Sequence, residues 1–393
     1  MLTHKPQKSH HYDIYAEKLN EKKKQNLFRH LEQNIDVAHP GYLKQGERLY
    51  LNFSSNDYLG FAHHPDIITA GHEAALKYGA GSGSARPVSG NYSFYDEVEK
   101  KLAKYKKKDS AIIGASGFQV NSTVISALLQ PFGQKLKVFF DKYNHASMYF
   151  GLQHAGHRPI RYRHNDMHHL EALIEKYAQK DDAIFIMSES VFSMDGDICP
   201  IKDLATIAKK YNAMTFIDDA HSIDNALSDY AEDIDIILGT CSKAFGAFGG
   251  YIACDHDIAD YLRNFATGLI YSTALPPFIW GAIDKALDLL MQDTNIAKNI
   301  LNRAAYLRTL LQHNGLDTGH SKSQIIPIIL GSNERALHFE SKLKEAGYFT
   351  KAIRSPTVPA DTARLRLSLT PYISKEACED LGSALIKFMN SAS

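Results

Sequence analysis

From about residue 110 to residue 275, short continuous apolar runs alternate with longer stretches of helical pattern. The runs are Ala111-Ile112-Ile113, Val138-Phe139-Phe140, Ala183-Ile184-Phe185-Ile186-Met187, Met214-Thr215-Phe216-Ile217, Ile236-Ile237-Leu238 and Gly250-Tyr251-Ile252-Ala253. None alternates apolar with polar as a half-exposed strand does, and each ends in a polar or glycine turn. Strands covered on both faces read this way, so the pattern predicts an α/β fold with a mainly parallel sheet between helices.

Upstream, residues 13–36 are charged and helix-permissive, with Leu19, Leu27 and Leu31 near one face, and a short strand is expected at Tyr50-Leu51-Asn52-Phe53. Downstream, Pro276-Pro277 breaks the chain, and a long helical stretch over 278–313 leads into a smaller α+β region. Its strand candidates are Gln324 to Leu330 and Ala363 to Leu369. The expected organisation is therefore an N-terminal arm (1–48), a large domain (49–275) and a small C-terminal domain (276–393).

Composition narrows the function classes. The chain has 393 residues, 22% of them charged, with zero net charge, which gives no reason to expect nucleic acid or an anionic membrane surface as partner. No stretch approaches the ~18–20 apolar residues that span a bilayer. The start, Met1 to Lys5, lacks the apolar core of a signal peptide. Cys199, Cys241, Cys254 and Cys378 show no paired spacing and read as buried free thiols, so a cytoplasmic protein is expected. The lysine runs at 22–24 and 106–108 read as solvated faces.

The residues that follow apolar strands line the crevice at the carboxyl edge of such a sheet. Here they are Ser116-Gly117, Asp141 to His145, Glu189, Asp218 to His221 and Thr240 to Lys243. A lysine at a strand end among small hydroxyl residues and glycines can form a Schiff base with a buried carbonyl, which makes Lys243 the candidate nucleophile. A carboxylate at a neighbouring strand end, Asp218, can hold the ring nitrogen of pyridoxal 5'-phosphate (PLP) protonated. His221 offers a donor to the phenolate oxygen, and His145 a flat cover for the ring. Ser116-Gly117-Phe118 at a helix start, with Thr240 and Ser242, offers amides and hydroxyls to a phosphate.

Competing motifs are poor. Gly79 to Ser84 looks like a dinucleotide loop but follows a helical segment, so a nucleotide-dependent oxidoreductase is the weaker reading. There is no Walker spacing, G-x-S-x-G elbow or H-E-x-x-H. His164, His168 and His169 have no carboxylate or cysteine spaced with them, so they read as a polar helix start, and no metal is expected.

The segments Asn52 to Gly60, Val88-Ser89-Gly90, Arg163-His164-Asn165-Asp166, Glu189 to Asp197, Asp218-Asp219-Ala220-His221, Gly239 to Gly250, Ile270 to Thr273 and Arg354 to Arg366 resemble the α-oxoamine synthases. These are fold-type I PLP enzymes that condense an amino acid with an acyl thioester and release carbon dioxide. The Pro-Thr-Val-Pro and Arg-Leu-Arg of the last segment favour the branch that joins L-alanine to a pimeloyl thioester, carried by CoA or acyl carrier protein (ACP), in biotin biosynthesis. The alternative is a relative using glycine or another amino acid with a different acyl-CoA, such as a glycine C-acetyltransferase or a signalling aminoketone synthase.

The resemblance implies roles position by position. Lys243, Asp218, His221 and His145 would act on the cofactor as above. Gly117, Phe118 and Thr240 would hold the phosphate, and Ser193 would lie beside the cofactor. Ser272 and Thr273 resemble a segment donated by a second subunit, which implies a homodimer with shared active sites. Asn56 and Arg366 would hold the amino-acid carboxylate, Arg29 would sit on the acyl side, and Thr357 would contact substrate. The chain departs from the family after His221. Ser222-Ile223-Asp224-Asn225-Ala226-Leu227 replaces a longer glycine-rich loop that lies near the substrate entrance in relatives, and only on this departure could a catalytically silent subunit be argued.

Overall fold

A computed structural model describes residues 11–25, 27–29, 31–293 and 295–391. The expectation about a signal peptide at Met1 to Lys5, and the first ten residues of the arm, fall outside these described residues.

Helix α1 (His11–Lys24) is followed by strands β1 (Ile35–His39), β2 (Tyr42–Gln45) and β3 (Arg48–Asn52), then by α2 (Pro65–Tyr78) and α3 (Ser93–Lys106). The central region begins with β4 (Ser110–Gly114), α4 (Gly117–Leu129), β5 (Leu136–Asp141), α5 (Ala146–His154) and β6 (Ile160–Tyr162). It continues with α6 (Met167–Tyr177), β7 (Ala183–Glu189), α7 (Ile201–Lys210), β8 (Met214–Asp218) and β9 (Ile236–Thr240). It closes with β10 (Gly250–Cys254), α8 (His256–Phe265) and the single turn α9 (Thr267–Ile270). Beyond it lie α10 (Pro277–Gln292), α11 (Asn295–His313), β11 (Ile325–Gly331) and α12 (Asn333–Glu345). The last elements are β12 (Tyr348–Phe349), β13 (Ala352–Ile353), β14 (Ala363–Ser368) and α13 (Lys375–Ser391).

The central sheet has seven strands in the order β4-β10-β9-β8-β7-β5-β6. It is parallel apart from β10, which runs against both β4 and β9. Its strands are continuously apolar because successive side chains enter two different cores. Phe185, Met187, Phe216, Ile236 and Leu238 pack with α4 and α8 on one face. Ile184, Ile186, Ile217 and Ile237 pack with α6 and α7 on the other. Fully burying each such side chain stabilises the fold by about 1.5–3 kcal/mol. The edge strand β6 was not expected; three residues are too few to show a period.

A smaller antiparallel sheet, β11-β14-β13, forms in the C-terminal region. The strand expected near residues 50–53 is β3, and it joins neither of these sheets. It sits between β2 and β12, paired in parallel with Tyr348 and Phe349. The helical stretch expected over 278–313 is two helices, and Pro277 occupies the first turn of α10, where its missing N–H leaves no bond unmade. The arm's leucines do not form a buried face: α1 ends at Lys24, Leu19 is half-exposed and Leu31 is almost fully exposed. No described helix is long and apolar enough to cross a membrane.

The reading of residues 106–108 as a solvated face is corrected at Lys106. Its side chain is buried, with Nζ donating to Asp219 Oδ2 at 2.8 Å and to Asn225 Oδ1 at 2.7 Å. Asn225, at φ 54°, holds the loop after His221 in a left-handed turn and also donates to the carbonyl of Tyr105 at 2.8 Å. The replacement loop is thus tied to α3 by a buried cation. Lys106→Ala leaves the Asp219 carboxylate buried without its counter-ion, so unfolding by urea should show a loss of about 3–5 kcal/mol. A loss under 1 kcal/mol would place this pair outside the stabilising core.

Candidate active site

Strand register brings the sequence-distant polar residues to one edge. Glu189 lies opposite Asp218, Asp218 opposite Leu238, and Gly250 opposite both Thr240 and Gly114. The carboxyl ends of β7, β8 and β9 are therefore level, and the chain that leaves them shares one cleft of about 250 Å³. Gly117, Phe118, His145, Asp218, His221, Thr240 and Lys243 line it, together with Asn121 and Glu189.

Lys243 is carried by a tight turn after β9. Thr240 Oγ1 donates to the carbonyl of Gly249 at 2.8 Å and accepts from the amide of Ser242 at 3.2 Å. Gly246, at φ 62°, closes the turn against α2's approach; a Cβ there would lie 2.2 Å from the amide nitrogen of Ala62. Only glycine meets both demands.

The Lys243 amine lies 2.8 Å from His221 Nε2, and the other ring nitrogen lies 2.6 Å from the Tyr58 hydroxyl. That hydroxyl donates to Asn56 Oδ1 at 3.0 Å and accepts from Arg366 Nη2 at 2.9 Å. Arg366 also reaches Asn56 Oδ1 at 3.2 Å and the Ser193 carbonyl at 2.5 Å. A continuous hydrogen-bonded path therefore runs from Lys243 through His221 and Tyr58 to the Asn56–Arg366 pair. Gln324 fixes the histidine from behind, donating to its carbonyl at 2.8 Å.

Charge is distributed unevenly in this cleft. Burial lowers the Lys243 pKa to about 8, against the opposing pull of Asp218 and Glu189, and Arg366 lowers it further. Burial, followed by the Lys243 and Arg366 charges, drives His221 well below its usual value, so the ring is neutral. His145 is lowered by burial too, although Asp218 opposes this. Glu189 is pushed well above the carboxylate range, first by burial and then by Asp218. Asp218 accepts from Asn121 Nδ2 at 2.7 Å and from the Ala220 amide at 3.0 Å.

His145 caps the N-terminus of α5, and its Nδ1 lies 2.7 Å from Ser147 Oγ. At the start of α4, Ser116 caps Gln119, leaving the Gly117 and Phe118 amides in a first turn that has no helical acceptors. Strand β10 approaches this turn so closely that a Cβ on Gly250 would lie 2.6 Å from the Gly117 nitrogen.

The remaining residues expected on substrate or cofactor fall into separate groups. Arg29 Nη2 donates to Thr357 Oγ1 at 3.0 Å, outside the cleft lining. Ser193 is buried and engages Arg366 through its carbonyl; its side chain is not part of the lining. Ser272 and Thr273 line a different cavity, of about 330 Å³, with Arg86, Gln119 and Trp280. No cluster of metal-ligating side chains exists among the described residues.

Sequence reasoning missed Tyr58, Asn121 and Gln324 as site residues. Tyr58 and Gln324 lie within segments quoted for other reasons, but Asn121 sits mid-helix with no local signal. The histidines at 168 and 169 do belong to a polar helix start, where Asp166 caps the amide of His169 at 2.8 Å. His164 does not: it is half-buried between Asp141 and Asp197.

The donor set suits PLP. A lysine amine, a carboxylate held by two N–H groups and a neutral imidazole converge on the cleft, with a helix N-terminus at one end. Asn121 Oδ1 and Glu189 Oε1 are buried there without any protein partner. Unmet polar atoms in a cleft of this size mark a place for a polar ligand.

Comparison with known proteins agrees. The family profile for aminotransferase class I and II matches residues 49–385. The 8-amino-7-oxononanoate synthase of Gluconacetobacter diazotrophicus is 39% identical over 370 residues, spanning 91% of this chain and 93% of that protein. Among solved structures, a serine palmitoyltransferase variant from S. paucimobilis with a bound PLP–myriocin aldimine superimposes with a TM-score of 0.87 at 25% identity, covering 97% of this chain and 98% of that one. The 8-amino-7-oxononanoate synthase of Francisella tularensis superimposes with a TM-score of 0.75 at 26% identity, covering 87% and 98%.

Proposed function

The chain belongs to the class I and II aminotransferase family and, within it, to the α-oxoamine synthases, and on that premise we propose that it condenses L-alanine with a pimeloyl thioester. Carbon dioxide and the free thiol leave, and 8-amino-7-oxononanoate is formed. The enzyme is a PLP-dependent acyltransferase. What carries the substrate assignment is the identity to an oxononanoate synthase sustained along nine-tenths of both chains. The likeness to serine palmitoyltransferase is at lower identity and supports the fold and the cofactor.

Bound PLP supplies an aldehyde and an electron-withdrawing ring that stabilises negative charge at the α-carbon of an amino acid. The chain's own residues would do the rest. Asp218 would hold the ring nitrogen, His221 the phenolate oxygen and His145 would cover the ring, while Gly117, Phe118 and Thr240 would hold the phosphate. Arg366 and Asn56 anchor the carboxylate of L-alanine. Lys243, whose amine is substantially neutral near pH 8, takes the α-proton as general base. His145, neutral in the cleft, donates toward the thioester oxygen as the carbon–sulfur bond breaks. Arg29 and Thr357 sit on the acyl side.

The same reading makes the enzyme a homodimer in which Ser272 and Thr273 complete the cleft of a second copy. Four buried, unpaired cysteines accord with a cytoplasmic setting, where thiols stay reduced.

The test is thiol release from pimeloyl-CoA, pimeloyl-ACP, acetyl-CoA and palmitoyl-CoA against L-alanine, glycine and L-serine. L-alanine with a pimeloyl thioester should lead every other pair by at least about 10-fold in kcat/KM. A faster glycine or serine pair would overturn the assignment of substrates while leaving the cofactor chemistry intact.

The depressed lysine gives a pH prediction. Only the neutral amine attacks an aldehyde, so the apo-protein should capture PLP into a borohydride-fixable link with a rate that rises through pH 8 and levels above it. A rise centred near the ordinary lysine value would show that burial does not tune Lys243.

A further inference from the structure

One ionic cluster, a half-buried histidine between two buried carboxylates, takes no part in the reaction as described. His164 donates from Nδ1 to Asp141 Oδ1 at 2.9 Å and from Nε2 to Asp197 Oδ2 at 2.5 Å. Carboxylates on both nitrogens call for the doubly protonated, cationic ring. Tyr143 lies against it with centroids 4.6 Å apart, and Phe192 meets it edge-on at 4.4 Å. Burial opposes the charge, but the hydrogen bonds to Asp141 and Asp197 outweigh it and raise the pKa to about 9. Burial also raises the pKa of Tyr162, Cys199 and Glu189, which lie near this pair. Arg163 and Asp166 pair with each other on the outside.

Each carboxylate also organises a segment of the site. Asp141 Oδ1 accepts from the Tyr143 amide at 2.9 Å, and its carbonyl accepts from the Asn144 amide at 3.1 Å, directly before His145. The Asp197 carbonyl accepts from the Phe192 amide at 3.1 Å, closing the turn that contains Ser193. The Ser193 carbonyl in turn receives Arg366 Nε at 2.5 Å, and Asp195 of the same turn pairs with Arg364.

We propose that His164 is a positioning residue: clamped as a cation between Asp141 and Asp197, it fixes the loop bearing His145 relative to the turn that docks Arg366. The cover of the cofactor ring and the anchor for the amino-acid carboxylate are thereby set together. This inference rests on the reading of the cleft given above and adds the part that registers its two halves.

The experiment compares holoenzyme of the wild type with His164→Asn, which removes the cation, and Asp197→Asn, which keeps a hydrogen-bonding oxygen but removes one carboxylate charge. Both variants should retain native far-UV circular dichroism and borohydride-fixable PLP. The visible circular dichroism of bound PLP should fall to about half or less, and the dissociation constant for L-alanine should rise about 10-fold in His164→Asn and less in Asp197→Asn, because small misplacements of the two anchors are costly. Folded variants with unchanged visible signal and unchanged alanine affinity overturn the proposal. So does loss of fold in both, which would make the cluster a structural strut alone. A wild type that takes up no PLP would overturn the reading of the cleft, and this inference with it, before any variant is compared.

Discussion

Lys243→Ala should lower turnover by at least about 10⁴-fold while the protein continues to bind PLP and L-alanine. On the proposed mechanism two contributions disappear at once: the amine that would hold the aldehyde covalently and the base that would take the α-proton. The hydrogen-bonding path loses only its terminal member, since Tyr58, Asn56 and Arg366 keep their mutual bonds. Binding of the amino-acid carboxylate is therefore expected to survive. Folding should survive too, because burial already penalises the charged form of this lysine and alanine removes that penalty. Steady-state thiol release gives the rate, and a spectral titration with L-alanine gives the binding. After borohydride, no pyridoxyl group should remain on the polypeptide. A variant within about 10-fold of the wild-type rate would remove Lys243 from the chemistry.

Asp218→Asn should cost about 10²–10³-fold in kcat, as expected when a preorganised charge facing the reacting system is lost. The side chain keeps its size and can still accept from the Ala220 amide, and Asn121 can turn its unpartnered Oδ1 toward the new NH2. The substitution also carries a second readout with a fixed sign. Asp218 raises the pKa of Lys243, so its removal lets that pKa drop below about 8. The pH midpoint for capture of PLP by the apo-protein should move down accordingly. The same carboxylate raises Glu189, which should become easier to ionise. A large rate loss without any shift of the capture midpoint would assign Asp218 to the cofactor alone and not to the tuning of the lysine.

The short loop after His221 bears on how far the chain resembles its relatives in substrate entry. In this protein its Asn225 is spent on Lys106 and Tyr105, and its Ile223 enters the core. The loop is therefore part of the packed framework behind the histidine.

Much of this architecture was open to reading because of one physical fact. A strand buried on both faces must be apolar at every position, so its ends are marked by the first polar residues, and the crevice lies at those ends. Lys243, Asp218, Thr240 and Gly117 could be placed that way with no knowledge of distance. The family resemblance added Asn56, Arg366, Ser193, Arg29 and Thr357, whose own surroundings carry no such mark.

Local pattern determined six of the seven central strands, the crevice at the carboxyl edge of their sheet and the small set of side chains that could meet there. Tertiary structure alone decided that Tyr58 bridges His221 to Arg366, that Asn121 reaches Asp218, that Lys106 is buried on Asp219, and that β3 pairs with a strand almost 300 residues later. It also turned His164 from a surface residue at a helix start into an ion held between two carboxylates. These are contacts between elements far apart in the chain, and a residue's neighbours in sequence carry no record of them. A charged or amide side chain looks the same in the sequence whether water or a distant partner satisfies it; the packing of the chain makes that choice.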